Sequence, residues 1–408
     1  MAVDQSYGAM LKRYMPEKLL ENTFAKKNYI YQKIEKDPNW GLGTYEYPVE
    51  ASGLGSIQMG ALAAENDIAE GVQGVGTITH KEMYASILMK EADLARHGSL
   101  EKSYLKIMPD KIDQAMDRMQ EQFSVAVLNG GNLALATVNG TVGGAITVDK
   151  PELFHPRQKV EVIDNDTAVV SGYVRTVDVN TGVLTIFNAR TAGAVVDLSA
   201  FTVAQAARVR IIGSGTERFL DLKTALLPAA SGGVDTLYGL TRADFMPLQA
   251  TVRSGSGWTA ATVLDDLTAL YFDYQRQGRG KGGEILVNYG MFKNVSKKLE
   301  LSKQYTTSDK KAGYGFNSVS LVGVQGELTI TALREMPTSE VFIVDWAGIK
   351  FAGKEMFKKI KDPDGSEYHK VRASTGYSFI TDVRLAGEVI VDPCKHACGH
   401  SIPASVSA

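Results

Sequence analysis

Two alternating runs separated by a glycine-rich, acidic stretch constrain this chain more than any other feature. From Thr44 the pattern has period two, with Tyr45, Tyr47 and Val49 on one face, and a matching run leads from Gly76 through Ile78 to Met89. Between them lie Gly53, Gly55, Gly60, Gly71, Gly74 and Gly76 with the acids Glu65, Asp67 and Glu70, which cannot supply a core of their own. The spacing predicts a long β-hairpin that projects from the body. Such a polar hairpin has little purpose in a monomer, but its strands can add to those of a neighbour. The chain is therefore expected to assemble with many copies of itself, and not to be an enzyme.

At 408 residues the chain exceeds the size at which one hydrophobic core stops growing, so two or more structural units are expected. Its 44% hydrophobic and 22% charged residues exclude a disordered, collagen-like or membrane-bundle chain. A formal net charge of −2 excludes a global basic field that draws the protein to nucleic acid. No apolar run approaches the roughly eighteen residues that span a bilayer, and Met1-Ala2-Val3-Asp4-Gln5 lacks the layout of a signal peptide. A soluble, cytoplasm-made protein with no membrane partner is expected. Two cysteines, Cys394 and Cys398, exclude a disulfide framework.

Residues 1–40 read as an arm with weak helical periodicity, for example Leu19, Leu20 and Phe24, ending at the turn Asp37-Pro38-Asn39. The clearest helix starts near Pro109, places Ile112, Ala115, Met116, Met119, Phe123, Ala126 and Val127 on one stripe, and stops at Gly130-Gly131. Residues 141–215 change to short alternating strands and predict a small β-barrel; Val177-Asp178-Val179 and Val183–Phe187, joined across Asn180-Thr181-Gly182, form its strongest hairpin. Residues 216–365 read as mixed α/β: Thr259 caps a helix carrying Val263, Leu267, Leu270 and Tyr274, then come the buried strand Ile285-Leu286-Val287-Asn288, a second helix, and strands around Val319–Val324 and Val341–Val344. The stretch Tyr368–Asp392 is strand-like, broken by Gly376 and Gly387, and is expected to pair with earlier strands.

This order resembles the tailed-bacteriophage major capsid proteins of the Hong Kong 97-like fold. The pieces that carry the resemblance are Phe123–Gly130, Ile285–Asn288 leading into a helix, Val341-Phe342-Ile343-Val344-Asp345-Trp346, and Gly387–Pro393 near the end. The resemblance implies an α+β capsid fold. Residues 1–40 become the N-terminal arm, 41–95 the extended loop, 96–140 the spine helix and peripheral domain, and 141–215 an inserted β-rich domain. Residues 216–365 become the axial domain, 366–393 the returning peripheral strands, and 394–408 a C-terminal tail. It further implies pentamers and hexamers of an icosahedral shell around double-stranded DNA in a virion assembled in the host cytoplasm, with separate scaffolding, portal and decoration proteins as partners. Two features depart from the pattern. The founding member crosslinks through a lysine on the extended loop, whereas no lysine lies between Lys36 and Lys81 here, which predicts a shell without that covalent mesh. No long helical scaffolding segment stands before the arm, so scaffolding is expected to come from a separate protein, or the segment has been removed from this chain. An encapsulin-type nanocompartment, and a β-rich enzyme or binding protein, are the competing readings.

Chemistry-bearing motifs are few, and no cofactor is expected. Gly278, Gly280 and Gly283 with Arg279 and Lys281 match the dinucleotide glycine spacing, but a helix precedes and a strand follows, the reverse of what a phosphate cradle needs. Cys394, His396, Cys398 and His400 place four zinc-ligand types in seven residues; a flexible tail could curl them around a metal or share one between subunits, against the plainer reading of a solvated tail. His80, His97, His155 and His369 sit in no nucleophile or metal-helix setting, and Asp362-Pro363-Asp364-Gly365 lacks the later ligands of a calcium loop. Lysines cluster at Lys293, Lys297, Lys298, Lys303, Lys310 and Lys311 and again at Lys354, Lys358, Lys359 and Lys361, as solvated faces or as nonspecific contacts to packaged DNA.

Overall fold

The computed structural model describes residues 28–38, 40, 44–50, 73–90, 100–138, 144–164, 168–190, 193–199, 201, 207–214, 217–277, 283–302, 319–323, 326–353, 357–361, 365–366, 368–373 and 376–407. These residues form a mixed α and β protein, rich in sheet and poor in helix. They divide into two units. The first takes the described parts of Met1–Tyr45, Thr79–Ser124 and Lys350–Ile390, and the second those of Glu46–Ile78, Val125–Ile349 and Val391–Ala408.

The first unit is organised on the strand Gly376–Val391, whose alternation buries Phe379, Thr381, Val383 and Leu385. Strand Lys81–Lys90 runs antiparallel along one edge, from Lys81 opposite Gly387 to Lys90 opposite Ser378. Strands His369–Ala373 and Phe357–Lys359 share the other edge. Gly387 does not break this strand, contrary to the sequence expectation. A Cβ there would lie 2.5 Å from the Ala352 carbonyl and 2.8 Å from the Phe351 ring, so the glycine admits a packed aromatic.

Residues 28–37 are built into this unit. Asn28 caps the short helix Tyr29–Lys33 by accepting the Tyr31 N–H at 2.7 Å, and donates its amide to the Gln120 carbonyl at 2.7 Å and Ser124 Oγ at 2.9 Å. Glu35–Asp37 then adds in parallel to Ile349–Ala352. Tyr31, Phe123 and Phe351 meet edge to face with centroids 5.7–6.1 Å apart, each such pair contributing about 1 kcal/mol beyond its burial.

The long helix spans Leu100–Asn129 and starts well before Pro109, which is therefore an interior proline and not a first-turn residue. Its end is as read: Gly130 and Gly131 both have positive φ, +59° and +81°, and donate to the Ala126 and Val125 carbonyls.

In the second unit, strands Arg208–Ile211, Asn132–Val138, Ala145–Val148, Val183–Phe187, Ala168–Asp178 and Lys159–Asp164 close, in that order, into a barrel. Its interior is filled by Leu133, Ile146, Val160, Val162, Val174, Leu184, Ile186 and Val209. The barrel takes in Asn132–Val138, ahead of the position where the sequence pattern changes, because that strand pairs with both 145–148 and 208–211 and closes the ring. In its hairpin only Gly182 is left-handed, φ +72°; Asp178 Oδ1 caps the turn by accepting the Asn180 and Thr181 N–H groups.

Beside the barrel in sequence stands a six-stranded sheet in the order Thr251–Ser254, Ala397–His400, Val341–Val344, Glu284–Val287, Gly326–Ala332, Val319–Gly323. Helices Val263–Gln277 and Tyr289–Ser302 bury Leu267, Leu270, Tyr274, Met291 and Val295 in its core with Ile285, Val287 and Ile343. Asn288 explains the abrupt strand-to-helix step: its Oδ1 accepts the Met291 N–H at 2.7 Å. Thr259 caps a turn just ahead of the first of these helices, and Thr262 leads into it, bonding Asp266 at 2.7 Å.

Candidate assembly site and the Cys-His strand

The base of the predicted hairpin is fixed by aromatic side chains. Tyr45–Glu50 pairs with Gln73–Ile78, and Val49 is buried with Leu237, Phe245 and Leu248. Tyr47 meets the Tyr238 ring edge-on at 5.4 Å and donates its hydroxyl to Asp392 Oδ1. The Tyr238 hydroxyl in turn accepts the Val391 N–H at 2.7 Å and donates to the Val391 carbonyl at 3.0 Å. Gly76 is required at this base, because a Cβ would approach Tyr238 Cβ to 2.7 Å. The glycine- and acid-rich segment 51–72 lies outside the described residues, as do 1–27, His97, Gly278–Gly282, Lys303, Lys310, Lys311, Lys354 and Asp362–Asp364. Val75, on the described part, exposes 57% of its surface.

The Cys-His segment is not a solvated tail. Ala397–His400 is an interior strand, parallel to Thr251–Ser254 and antiparallel to Val341–Ile343. His396 and Cys398 are fully buried, while Cys394 and His400 are partly exposed. Both His396 nitrogens are engaged: Nδ1 accepts the Asp345 N–H at 3.1 Å, which puts the proton on Nε2, 3.4 Å from the Gly348 carbonyl. Burial pushes its pKa down to about 4. Cys398 Sγ donates to the Gly399 carbonyl, burial raises its pKa well above the ordinary thiol range, and His400 Nδ1 lies 3.0 Å from Ser401 Oγ. The structure does not gather these four side chains. No group of three or more His, Cys, Asp or Glu is placed to hold a metal ion among the described residues. Of the other histidines, His80 stacks edge-on to Trp40 and His369 lies 3.5 Å from Asp382.

Sequence reasoning missed a buried charge cluster around a cavity of about 220 Å³ lined by Asn129, Asp149, Lys150, Arg208, Lys223 and Glu340. Lys150, buried, donates to the Met336 carbonyl, and burial lowers its pKa against the pull of Asp149 and Glu152. Asp149 accepts the Leu135 N–H at 2.8 Å and the Thr338 hydroxyl at 3.1 Å, while burial raises its pKa. Lys223 pairs with Glu340, a carboxylate only 3% exposed. The partners are 117 residues apart in sequence, so no local pattern announces them.

No family model and no curated protein matches this chain. Solved structures do. A chain of the cyanophage A-1(L) capsid asymmetric unit superposes with a TM-score of 0.51 at 9% identity, covering 91% of this chain and 90% of that one. The fold is that of a phage capsid chain. The capsid of a native GTA particle gives a TM-score of 0.43 at 10% identity, covering 93% and 91%, and a Mycobacterium phage Cain structure gives 0.43 at 12%, covering 92% and 89%. On this capsid fold the second unit exposes Phe272 and Tyr289, at 48% and 61%, and the first exposes Tyr84 and Tyr377, at 52% and 41%.

Proposed function

We propose that this chain is the major capsid protein of a tailed bacteriophage, with a Hong Kong 97-like fold that forms pentamers and hexamers of an icosahedral shell around double-stranded DNA. One observation carries the reading: the match to the cyanophage capsid chain runs along nine-tenths of both chains, so it covers the whole architecture and not one common motif. In this reading the barrel is an inserted domain, the sheet with its two helices is the axial domain, and the sheet built on Gly376–Val391 belongs to the peripheral domain. The hairpin overlaps a neighbouring subunit, and scaffolding, portal and decoration functions come from separate proteins in the infected cell. The Cys-His strand serves the sheet as one of its interior strands.

Size-exclusion chromatography with light scattering on the purified full chain tests this reading. Capsomers or particles in the megadalton range are expected. A single species at the 44.2 kDa monomer mass, stable at tens of micromolar protein, would contradict it.

A further inference from the structure

We propose that the outer face of the barrel around Lys159, Tyr173 and Phe187 is a docking site for a short segment of a separate protein, in which acidic residues are followed directly by apolar ones. The proposal goes beyond the shell reading and makes no use of the hairpin.

Strand register lays out this face. Val160, Val174 and Ile186 are buried in the barrel interior, so the alternation turns their neighbours Lys159, Tyr173 and Phe187 outward. Lys159 stands directly opposite Tyr173, Tyr173 opposite Phe187, and an isolated bridge sets Val195 opposite Phe187. One row therefore runs across the strands from a cation through two rings to an aliphatic side chain, about 14 Å at the ordinary spacing between strands. Its ends, Lys159 and Val195, are exposed, and the two rings are half-buried.

The cationic end is reinforced twice. The register shifts between Val174 and Thr176, so Arg175 is an extra residue in its strand, and its guanidinium lies 5.7 Å from the Phe187 ring centre. Lys159 Nζ lies 5.8 Å from that of Tyr173. Arg157 is exposed and holds a left-handed backbone, φ +69°, which arginine rarely adopts. It is fixed there: its N–H donates to the Val174 carbonyl at 2.7 Å, and Gln158 Oε1 accepts the His155 N–H at 3.0 Å. Backbone strain of this kind collects at functional positions. The neighbouring acid Glu161 is taken by Arg210 at 2.8 Å. No ion pair joins Arg157 or Lys159 to an acid among the described residues. On a chain of net charge −2, cations gathered and held this way select an anionic partner.

The rest of the row says which anion. Single-stranded nucleic acid binds by stacking bases on open rings, but each ring here is half-buried and already carries a cation on one face. Val195 offers nothing to a phosphodiester. A peptide uses both ends, with carboxylates on Arg157, Lys159 and Arg175 and apolar side chains along Phe187 and Val195, and about four extended residues cover the row. In this chain, acid-then-apolar runs such as Glu284–Val287, Glu340–Val344 and Glu388–Val391 are buried in their sheets, which favours a separate protein over a second copy.

Fluorescence anisotropy on the full chain tests this, with the labelled peptide Gly-Ser-Glu-Asp-Glu-Leu-Val-Leu-Gly-Ser as probe. Saturable binding is expected, and Arg157→Gly with Lys159→Gln should weaken it at least tenfold. Glycine suits a positive φ better than arginine does, so this variant keeps the fold. Lys293→Gln with Lys297→Gln removes the same charge from an exposed helix face and should leave binding within twofold. Absence of saturable binding, equal loss in the two double variants, or equal affinity for the interleaved peptide Gly-Ser-Leu-Glu-Val-Asp-Leu-Glu-Gly-Ser would overturn the proposal. Tighter binding of an oligothymidine at the same residues would overturn it in favour of nucleic acid. Assembly of Arg157→Gly with Lys159→Gln should match that of the unsubstituted chain; assembly lost in this variant alone would give the face to a second copy, overturning the proposal and leaving the shell reading standing.

Discussion

His396 accepts the backbone N–H of Asp345 on Nδ1, at 3.1 Å, from a position with no exposure to solvent. A proton on that nitrogen would remove the acceptor and leave a charge between Asp345 and Lys395, which raise and lower its pKa in turn. The imidazole is therefore folded neutral, with a pKa of about 4 against 6.5 when unfolded. Between these values the unfolded chain binds the extra proton, so stability rises with pH across this window and is lost as pH falls through it. The span corresponds to about 3 kcal/mol. Urea midpoints at pH 7.5 and pH 4.5 should differ by less in His396→Asn, whose amide oxygen can still accept the Asp345 N–H.

A second prediction concerns Lys223 and Glu340. Lys223 is half-buried and Glu340 buried, so Lys223→Met strands a buried carboxylate and should cost about 3 kcal/mol. Lys223→Met with Glu340→Leu should recover most of that loss. A double-mutant cycle by thermal unfolding measures the difference, and purely additive effects would contradict a coupled pair.

Two glycines should differ sharply in what an added side chain costs. A Cβ at Gly283 would sit 1.9 Å from the Val344 carbonyl, on a backbone with φ of +132° that side chains avoid. Gly283→Ala should cost 3 kcal/mol or more, on the order of the largest single-site losses. Gly213 also has positive φ, +79°, but nothing lies within 4 Å of its added Cβ, so Gly213→Ala should cost only about 1 kcal/mol. Denaturant titration of the two variants gives the comparison.

Asn28 makes three side-chain hydrogen bonds, with Tyr31, Gln120 and Ser124. Asn28→Ala removes all three bonds and should cost about 2 kcal/mol. Asn28→Ser, which can keep the cap, should cost less. Hydrogen exchange at Tyr31 N–H reads the cap directly.

The features legible in the sequence are those written in local chemistry. Gly130-Gly131 ends the long helix because both residues adopt a left-handed backbone, and Asn288 starts the next by capping it, each within a few residues. The aromatic alternation at Tyr45 and Tyr47 marks the hairpin base for the same reason. Pro109 misleads because a proline suits a first turn yet sits here inside a helix. The Cys-His segment misleads more, since Ala397–His400 is made an interior strand by partners at 251–254 and 341–343, far off in sequence. The Lys150 and Glu340 cluster is silent for that reason too.

Cryo-electron microscopy of the expressed full-length chain tests the central claim most directly. The account predicts closed shells in which rings of five and six subunits each carry the barrel and the six-stranded sheet described above. A homogeneous monomer that forms neither rings nor shells under any assembly condition would contradict it.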